Sequence, residues 1–309
     1  MSAPVSFGVI VTSRMDSLSA WTRTCRRAVE LGYSAISVPD HMAEVGPFTA
    51  LGAAATVAHG IRIGTLALNN ELYSPAVIAR EMATLSRLYS GGVDVGLGAG
   101  WLAEDAAAVG RRMESPGVRI GRLEEALVII AALLESGRVD HQGEHYTATV
   151  ADTAAFRTGA VRPRLVVGGG GDRILRVAAR KADVVSINPD LRAGRHGREA
   201  YANATRARLA DQVALVQHEF LNRPDRPILQ LMINYVGVGD RRAEAERAFR
   251  ARSGLGTATV ADCPHVLFGD PDEVLTKVIG LHAAFGISEF VVRDGAMEQL
   301  APVISALLP

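Results

Sequence analysis

Cysteine is scarce: Cys25 and Cys263 are the only two in 309 residues. They are too few and too far apart for a disulfide framework, and neither stands in a Cys-x-x-Cys or Cys/His spacing. Buried thiols in a reducing compartment fit that usage. Excess charge of one sign is absent as well. Thirty-three basic side chains face 33 acidic ones, so no field draws the chain to nucleic acid or to an anionic membrane. Long apolar runs are missing: the richest helical stretch, Leu123 to Leu134, meets Glu124 and Glu125 at once, far short of the ~18 apolar residues of a span. Before Arg14 there is neither a basic n-region nor a long apolar core, which predicts no export signal. The eight histidines scatter; the one close pair, His141 and His145, flanks Gly143 in a predicted hairpin, so no metal site is expected. These absences predict a soluble cytoplasmic protein with neither nucleic-acid nor membrane partners.

What is present is ordinary globular composition, 48% hydrophobic and 21% charged, long enough for two domains of ~150 residues or one large α/β barrel with inserts. Eight short apolar, β-branched runs recur: Phe7 to Thr12, Ala35 to Pro39, Ile61 to Leu68, Val93 to Ala99, Leu165 to Gly168, Asp183 to Asn188, Ile228 to Val238 and Ser288 to Arg293. Stretches of helical period lie between them, including Leu18 to Leu31, Pro75 to Tyr89, Arg119 to Glu135, Asp172 to Lys181 and Asp272 to Phe285. Alternation of this kind, with no composition break, predicts a closed (β/α)8 TIM barrel as a single domain over residues 1–309. Two segments exceed a minimal barrel, near 103–118 and 189–227. Insertions after strands lie at the C-terminal face, so both are expected to shape a substrate pocket.

In such a barrel the chemistry sits at the carboxyl ends of the strands. After the second run come Asp40 and His41, suited to proton transfer or to orienting a cofactor ring; a turn Asp with an incidental surface His is the plain alternative. After the third stand Thr65, Asn69, Asn70 and Glu71, able to bind a heterocycle edge or simply to make a turn. The fourth reads Gly96-Leu97-Gly98-Ala99-Gly100-Trp101, which admits something flat or phosphorylated but fails as a Rossmann fingerprint. The strongest signal is Val167-Gly168-Gly169-Gly170-Gly171-Asp172, a strand running through four glycines into a helix N-terminus, as phosphate binding needs. No Gly-Lys-Ser/Thr follows it, which excludes a P-loop, and no Gly-x-Ser-x-Gly elbow occurs. Arg293, at the end of the last run, is placed either to clamp an anionic group or to form a solvated ion pair with Asp294.

Together these motifs, with Arg62-Ile63-Gly64-Thr65-Leu66-Ala67-Leu68 and Ser74-Pro75-Ala76-Val77-Ile78-Ala79-Arg80-Glu81, resemble the bacterial luciferase-like monooxygenase superfamily, specifically its F420-dependent (deazaflavin) oxidoreductase branch. The resemblance covers nearly the whole chain and implies a (β/α)8 barrel with an insertion, usually a homodimer, that binds an isoalloxazine-like ring at its mouth. It places Asp40 and His41 beside the ring, with either as candidate acid/base. It places a non-prolyl cis peptide within Thr65-Leu66-Ala67, at Leu66-Ala67, and makes Gly168 to Gly171 the phosphate loop. Asn69, Gly98 and Val167 join the cofactor contacts, and Trp101 and Arg293 face the substrate. The family often carries an Arg just before the fourth strand, where this chain reads Ser90-Gly91-Gly92; whatever that Arg does is left open. The implied cofactor is coenzyme F420, with FMN the alternative. The implied reaction is hydride transfer between the deazaflavin and an activated C=C or C=N bond, or an alcohol. An FMN-dependent monooxygenase using O2 and a non-catalytic flavin-binding barrel are the alternatives.

Overall fold

The computed structural model describes residues 4–12, 16–191, 197–221 and 223–308. Eight parallel strands, Ser6–Ile10, Ala35–Val38, Arg62–Thr65, Val93–Gly98, Arg164–Gly169, Val184–Ile187, Ile228–Met232 and Ile287–Arg293, pair in chain order. The last strand returns to the first in the register Ser6↔Glu289 to Ile10↔Arg293, so the barrel closes. Phe7 and Phe290 stack across that seam with ring centroids 5.6 Å apart. The expected (β/α)8 barrel is therefore the observed one, and closure leaves the barrel itself without an edge strand.

The helices form where local signals specify them. Asp270 and Glu273 make a reciprocal capping box around Pro271 at the start of Pro271–Phe285, and Gly286 closes that helix in the left-handed conformation (φ +70) before the last strand. Pro75 opens Pro75–Leu88, and Asp172–Lys181 has the bounds its period predicts.

At the lower end of the barrel, Asp94 lies between two guanidiniums: Arg164 donates to both of its oxygens at 2.8 and 2.9 Å, and Arg62 donates to Oδ1 at 2.8 Å. Arg164 continues to Glu289 at 2.9 Å. A Cβ at Gly92 would stand 2.4 Å from the Arg62 guanidinium, so the space before the fourth strand is filled by an arginine from the neighbouring strand.

Two expectations need correction, and one feature was missed. The run Ile228 to Val238 is two strands: after Met232 the amide of Asn234 donates to the carbonyl of His265, and Tyr235–Val238 leaves the barrel to pair in parallel with Val266–Gly269. The segment 189–227 is only partly an insertion, because Arg206–Glu219 is a helix packed on Asp172–Lys181, with Leu209, Val213 and Val216 buried; its residues 192–196 and 222 lie outside the described ones. The missed excursion is 233–270, whose helix Arg242–Ser253 contributes Phe249 to a small aromatic core with Tyr201, Tyr235 and Phe268. An apolar run shows that strands are present but not where the chain departs from the sheet.

Candidate functional site

The carboxyl ends of the strands enclose a cavity of about 1110 Å³. Its floor is apolar: Ile10, Met232 and Leu66 meet there, three strand ends in one cluster. Leu66-Ala67 is a cis peptide, as the family resemblance implies. A flat, largely apolar ring matches such a floor, and polar groups around the rim would fix its orientation.

Asp40 and His41 follow the second strand, and both line the cavity. Asp40 is nearly fully buried, and its carboxylate accepts the Asn69 amide at 2.9 Å and the Tyr73 hydroxyl at 3.1 Å. Burial pushes its pKa up, and these two donors together with the neighbouring His41 oppose the shift. Asp40 thus ties the second strand end to the segment after the cis peptide. The Nδ1 of His41 lies 2.8 Å from Oδ2 of Asp105, whose Oδ1 accepts the Met42 amide at 2.9 Å. A carboxylate accepts, so Nδ1 donates and Nε2 is left for the cavity. Trp101 meets the imidazole edge-on, centroids 5.5 Å apart.

The glycine loop forms the opposite wall. Gly168 to Gly171, Asp172 and Arg173 all line the cavity where Asp172–Lys181 begins. The Gly169 carbonyl accepts from the Asn188 amide, and that of Gly170 accepts from Gln212 at 2.8 Å and Arg208 at 3.3 Å. The acceptors of the loop are thereby satisfied on its outer side. None of the four glycines has a positive φ. A Cβ at Gly169 would press on the Ile174 side chain at 2.3 Å, and one at Gly170 on the Pro189 carbonyl oxygen at 2.4 Å. At Gly171 the nearest atoms are 3.9 Å away. The need for glycine is thus close packing at 169 and 170, and open room at 171. Arg173 has no hydrogen-bond or ion-pair partner among the described residues. A cation in the first turn opposes the helix dipole unless an anion is bound there.

Of the residues predicted from sequence, Asp40, His41, Leu66, Ala67, Asn69, Gly98, Trp101, Gly168, Gly169, Gly170, Gly171 and Arg293 share this cavity. Thr65 and Val167 do not line it. Both are buried, and the Thr65 hydroxyl donates to the Gly96 carbonyl and accepts from the Gly96 amide, clamping the third strand to the fourth. Sequence reasoning missed Asp105, Tyr73, Asn234 and Arg173. For Asp105 the only signal was a pair of acids, Glu104 and Asp105, opening the helix Ala103–Ala108, and nothing local said which of them turns inward.

A family model described as luciferase-like monooxygenase matches residues 2–256. The sequence is 31% identical over 166 residues to the F420-dependent glucose-6-phosphate dehydrogenase of Kribbella flavida, covering 51% of this chain and 49% of that one. The chain thus spans about half the length of that relative. To the F420-dependent glucose-6-phosphate dehydrogenase of Beutenbergia cavernae it is 27% identical, over 90% of this chain and 81% of that one. The fold matches an F420-dependent secondary alcohol dehydrogenase in complex with an F420-acetone adduct, TM-score 0.76 and 19% identity, over 99% of this chain and all of that one. With the closed barrel and a family match over most of the chain, the protein belongs to the luciferase-like monooxygenase family.

Proposed function

We propose that this chain is an F420-dependent oxidoreductase that passes a hydride between the deazaflavin and an activated C=C or C=N bond, or an alcohol, of a small-molecule or peptide-derived substrate. Residues 1–309 form one such domain, acting as a cytoplasmic homodimer. The observation that carries the reading is one cavity with an apolar floor, a glycine loop and helix N-terminus on one wall, and a carboxylate-held imidazole on the other. Relatives named for F420 support the cofactor choice.

The cavity fits such a group. Gly168 and Gly171 leave room where side chains would otherwise project, and Arg173 waits for an anion at the helix N-terminus. When bound, a deazaflavin supplies a carbon that gives or takes a hydride and does not activate oxygen. Gly168 to Gly171 and Arg173 would hold its phosphate, and Leu66, Ala67, Ile10 and Met232 would carry the ring. His41 exchanges a proton with the substrate through Nε2, with Asp105 fixing the imidazole. Trp101 and Arg293 line the substrate side.

Calorimetric titration of the purified protein tests this. F420 should bind tightly, FMN more weakly, and NAD(P) should form no stable complex. A nicotinamide dinucleotide bound about tenfold tighter than either would sink the reading. Tighter binding of FMN, with O2 consumed on turnover, would favour the monooxygenase chemistry in the family's description. Failure to bind any flavin or deazaflavin would favour a non-catalytic barrel.

A further inference from the structure

Arg119, near the start of the helix Pro116–Ser136, lines the cavity yet is only 8% exposed. A charge buried that far is ordinarily paired, because it loses its hydration and must regain an equivalent. Among the described residues Arg119 has no ion-pair partner, only carbonyls. Its Nε donates to the Glu114 carbonyl at 3.0 Å, and its Nη1 to the carbonyls of Ala99, at 3.2 Å, and Gly100. These dipoles fix the plane of the guanidinium without neutralising it. Burial pulls its pKa below the ordinary value; Glu71 opposes that shift, but the Glu71 carboxylate is itself bonded to Arg122 at 2.6 Å.

The third nitrogen is left over. Nη2 bonds to none of the described residues, and it is not sealed away from solvent, so two N–H groups of a buried cation stand free in the lining. The cavity meets a side cleft at Arg119, and Arg111, Arg112 and Arg122 line that cleft against Glu71 and Glu114. The charge around Nη2 is therefore positive in balance. An oxyanion both answers the free donors and supplies the missing counter-charge.

We propose that Arg119 recognises an anionic oxygen, of a carboxylate or a phosphate, on the substrate. The assignment to the substrate rests on the F420 reading, in which Gly168 to Gly171 and Arg173 take the cofactor's phosphate and leave Arg119 without one. Trp101 directly follows the Gly100 carbonyl that Arg119 holds, and its indole meets His41 edge-on. The anion is thus anchored on the wall that carries the proton-transfer pair. The guanidinium, already braced by three carbonyls, loses little freedom on binding it. Neutral alcohols, ketones and imines lack what this nitrogen needs; their carboxylated or phosphorylated counterparts have it.

The test titrates the F420-loaded full chain calorimetrically with acetate and with inorganic phosphate. At least one should bind saturably with Kd below about 10 mM, and the tighter of the two names the group. Arg119→Gln should weaken that binding about tenfold or more while keeping F420 affinity within about threefold of the parent. Absence of saturable binding overturns the proposal, and so does binding that Arg119→Gln leaves unchanged. A loss of F420 affinity of about tenfold in Arg119→Gln would give the arginine to the cofactor and overturn the assignment to the substrate. If circular dichroism shows that the variant does not fold, the loaded parent crystallised with the tighter anion decides. Density within hydrogen-bonding distance of Nη2 is expected, and its absence there overturns the proposal. Failure of the cofactor reading is seen separately, as a chain that takes up no F420. Anion titration of the free chain then compares Arg119→Gln with Arg173→Gln: loss in the first alone keeps the anion at Arg119, and loss in the second alone overturns it.

Discussion

The Nδ1 of His41 and the Oδ2 of Asp105, 64 residues apart in sequence, stand 2.8 Å from each other at the edge of the cavity. Asp105 is buried, with its other oxygen anchored by the Met42 amide, so the imidazole has one orientation supported from behind. If His41 moves the proton in the proposed reaction, His41→Phe should keep the fold and most cofactor affinity yet lower turnover by about 10² to 10⁴. Asp105→Asn retains an acceptor but also brings an N–H donor, so it should cost turnover less than the His41 change while leaving KM nearly unaltered. Single-turnover recovery of the deazaflavin absorbance measures both. A His41→Phe protein that turns over at the parent rate would move the proton to Glu104, which also lines the cavity.

The glycine loop separates packing from binding. Adding a methyl at Gly170 drives it into the backbone of Asn188 and Pro189, with carbonyl oxygens 2.5 and 2.4 Å away, so Gly170→Ala should destabilise the protein by about 1–3 kcal/mol. Gly171→Ala meets nothing closer than 3.9 Å and should keep the parent melting temperature, but it projects where a phosphate would approach and should weaken cofactor binding about tenfold. Thermal unfolding and titration of the two variants should give opposite patterns. Equal affinity in Gly171→Ala and parent would reduce the loop to a packed crossover.

Asp40 gives a pH-dependent prediction. Burial raises its folded-state pKa above the usual aspartate value, so between the two values the native state holds a proton that the unfolded chain has already released. Stability from this group therefore falls as pH rises from about 4 through the raised value, and its ionisation penalty is complete above it. Asp40→Asn has no such penalty. Its melting temperature relative to the parent should be higher at pH 7 than at pH 4; a difference independent of pH would show that the Asn69 and Tyr73 hydrogen bonds outweigh burial.

The barrel and most of the cavity were legible because their signals are local: alternating apolar runs, a proline and acids at helix starts, four glycines between strand and helix. Asp40, His41 and Trp101 could be found because they stand directly after strands. Asp105 could not, since its partner is set by how Ala103–Ala108 folds back over the mouth, a long-range matter. Thr65 illustrates the converse error. It sits inside a motif that marks the cofactor floor, yet its hydroxyl is consumed by Gly96. The excursion 233–270 was hidden because Ile228 to Val238 is continuously apolar apart from Gln230 and Asn234, and the exit is made by the Asn234 amide reaching the His265 carbonyl.

The ion cluster at the lower end of the barrel should matter to stability and not to binding. Asp94 is buried; burial alone would raise its pKa, but Arg164 and Arg62 hold it below the usual carboxylate range. A depressed folded-state pKa contributes stability that is present above about pH 4 and is lost as pH falls below it. Arg164 links Asp94 to Glu289 across the barrel interior, so Arg164→Met removes a partner from buried Asp94 and from partly exposed Glu289 at once. Asp94 keeps Arg62 and Glu289 keeps Gln230 as donors, so neither charge is orphaned and the cost should stay below the about 3–5 kcal/mol of a fully broken buried pair. The cluster lies at the end opposite the cavity, so Arg164→Met should lower the melting temperature at pH 7 while a folded sample below that temperature binds cofactor as the parent does. The stability gap should narrow as pH falls toward 4 and the variant's Asp94, no longer held down by Arg164, takes up a proton. A gap that stays constant between pH 4 and 7 would mean that lost packing of the arginine stem, and not the charge pair, sets the cost.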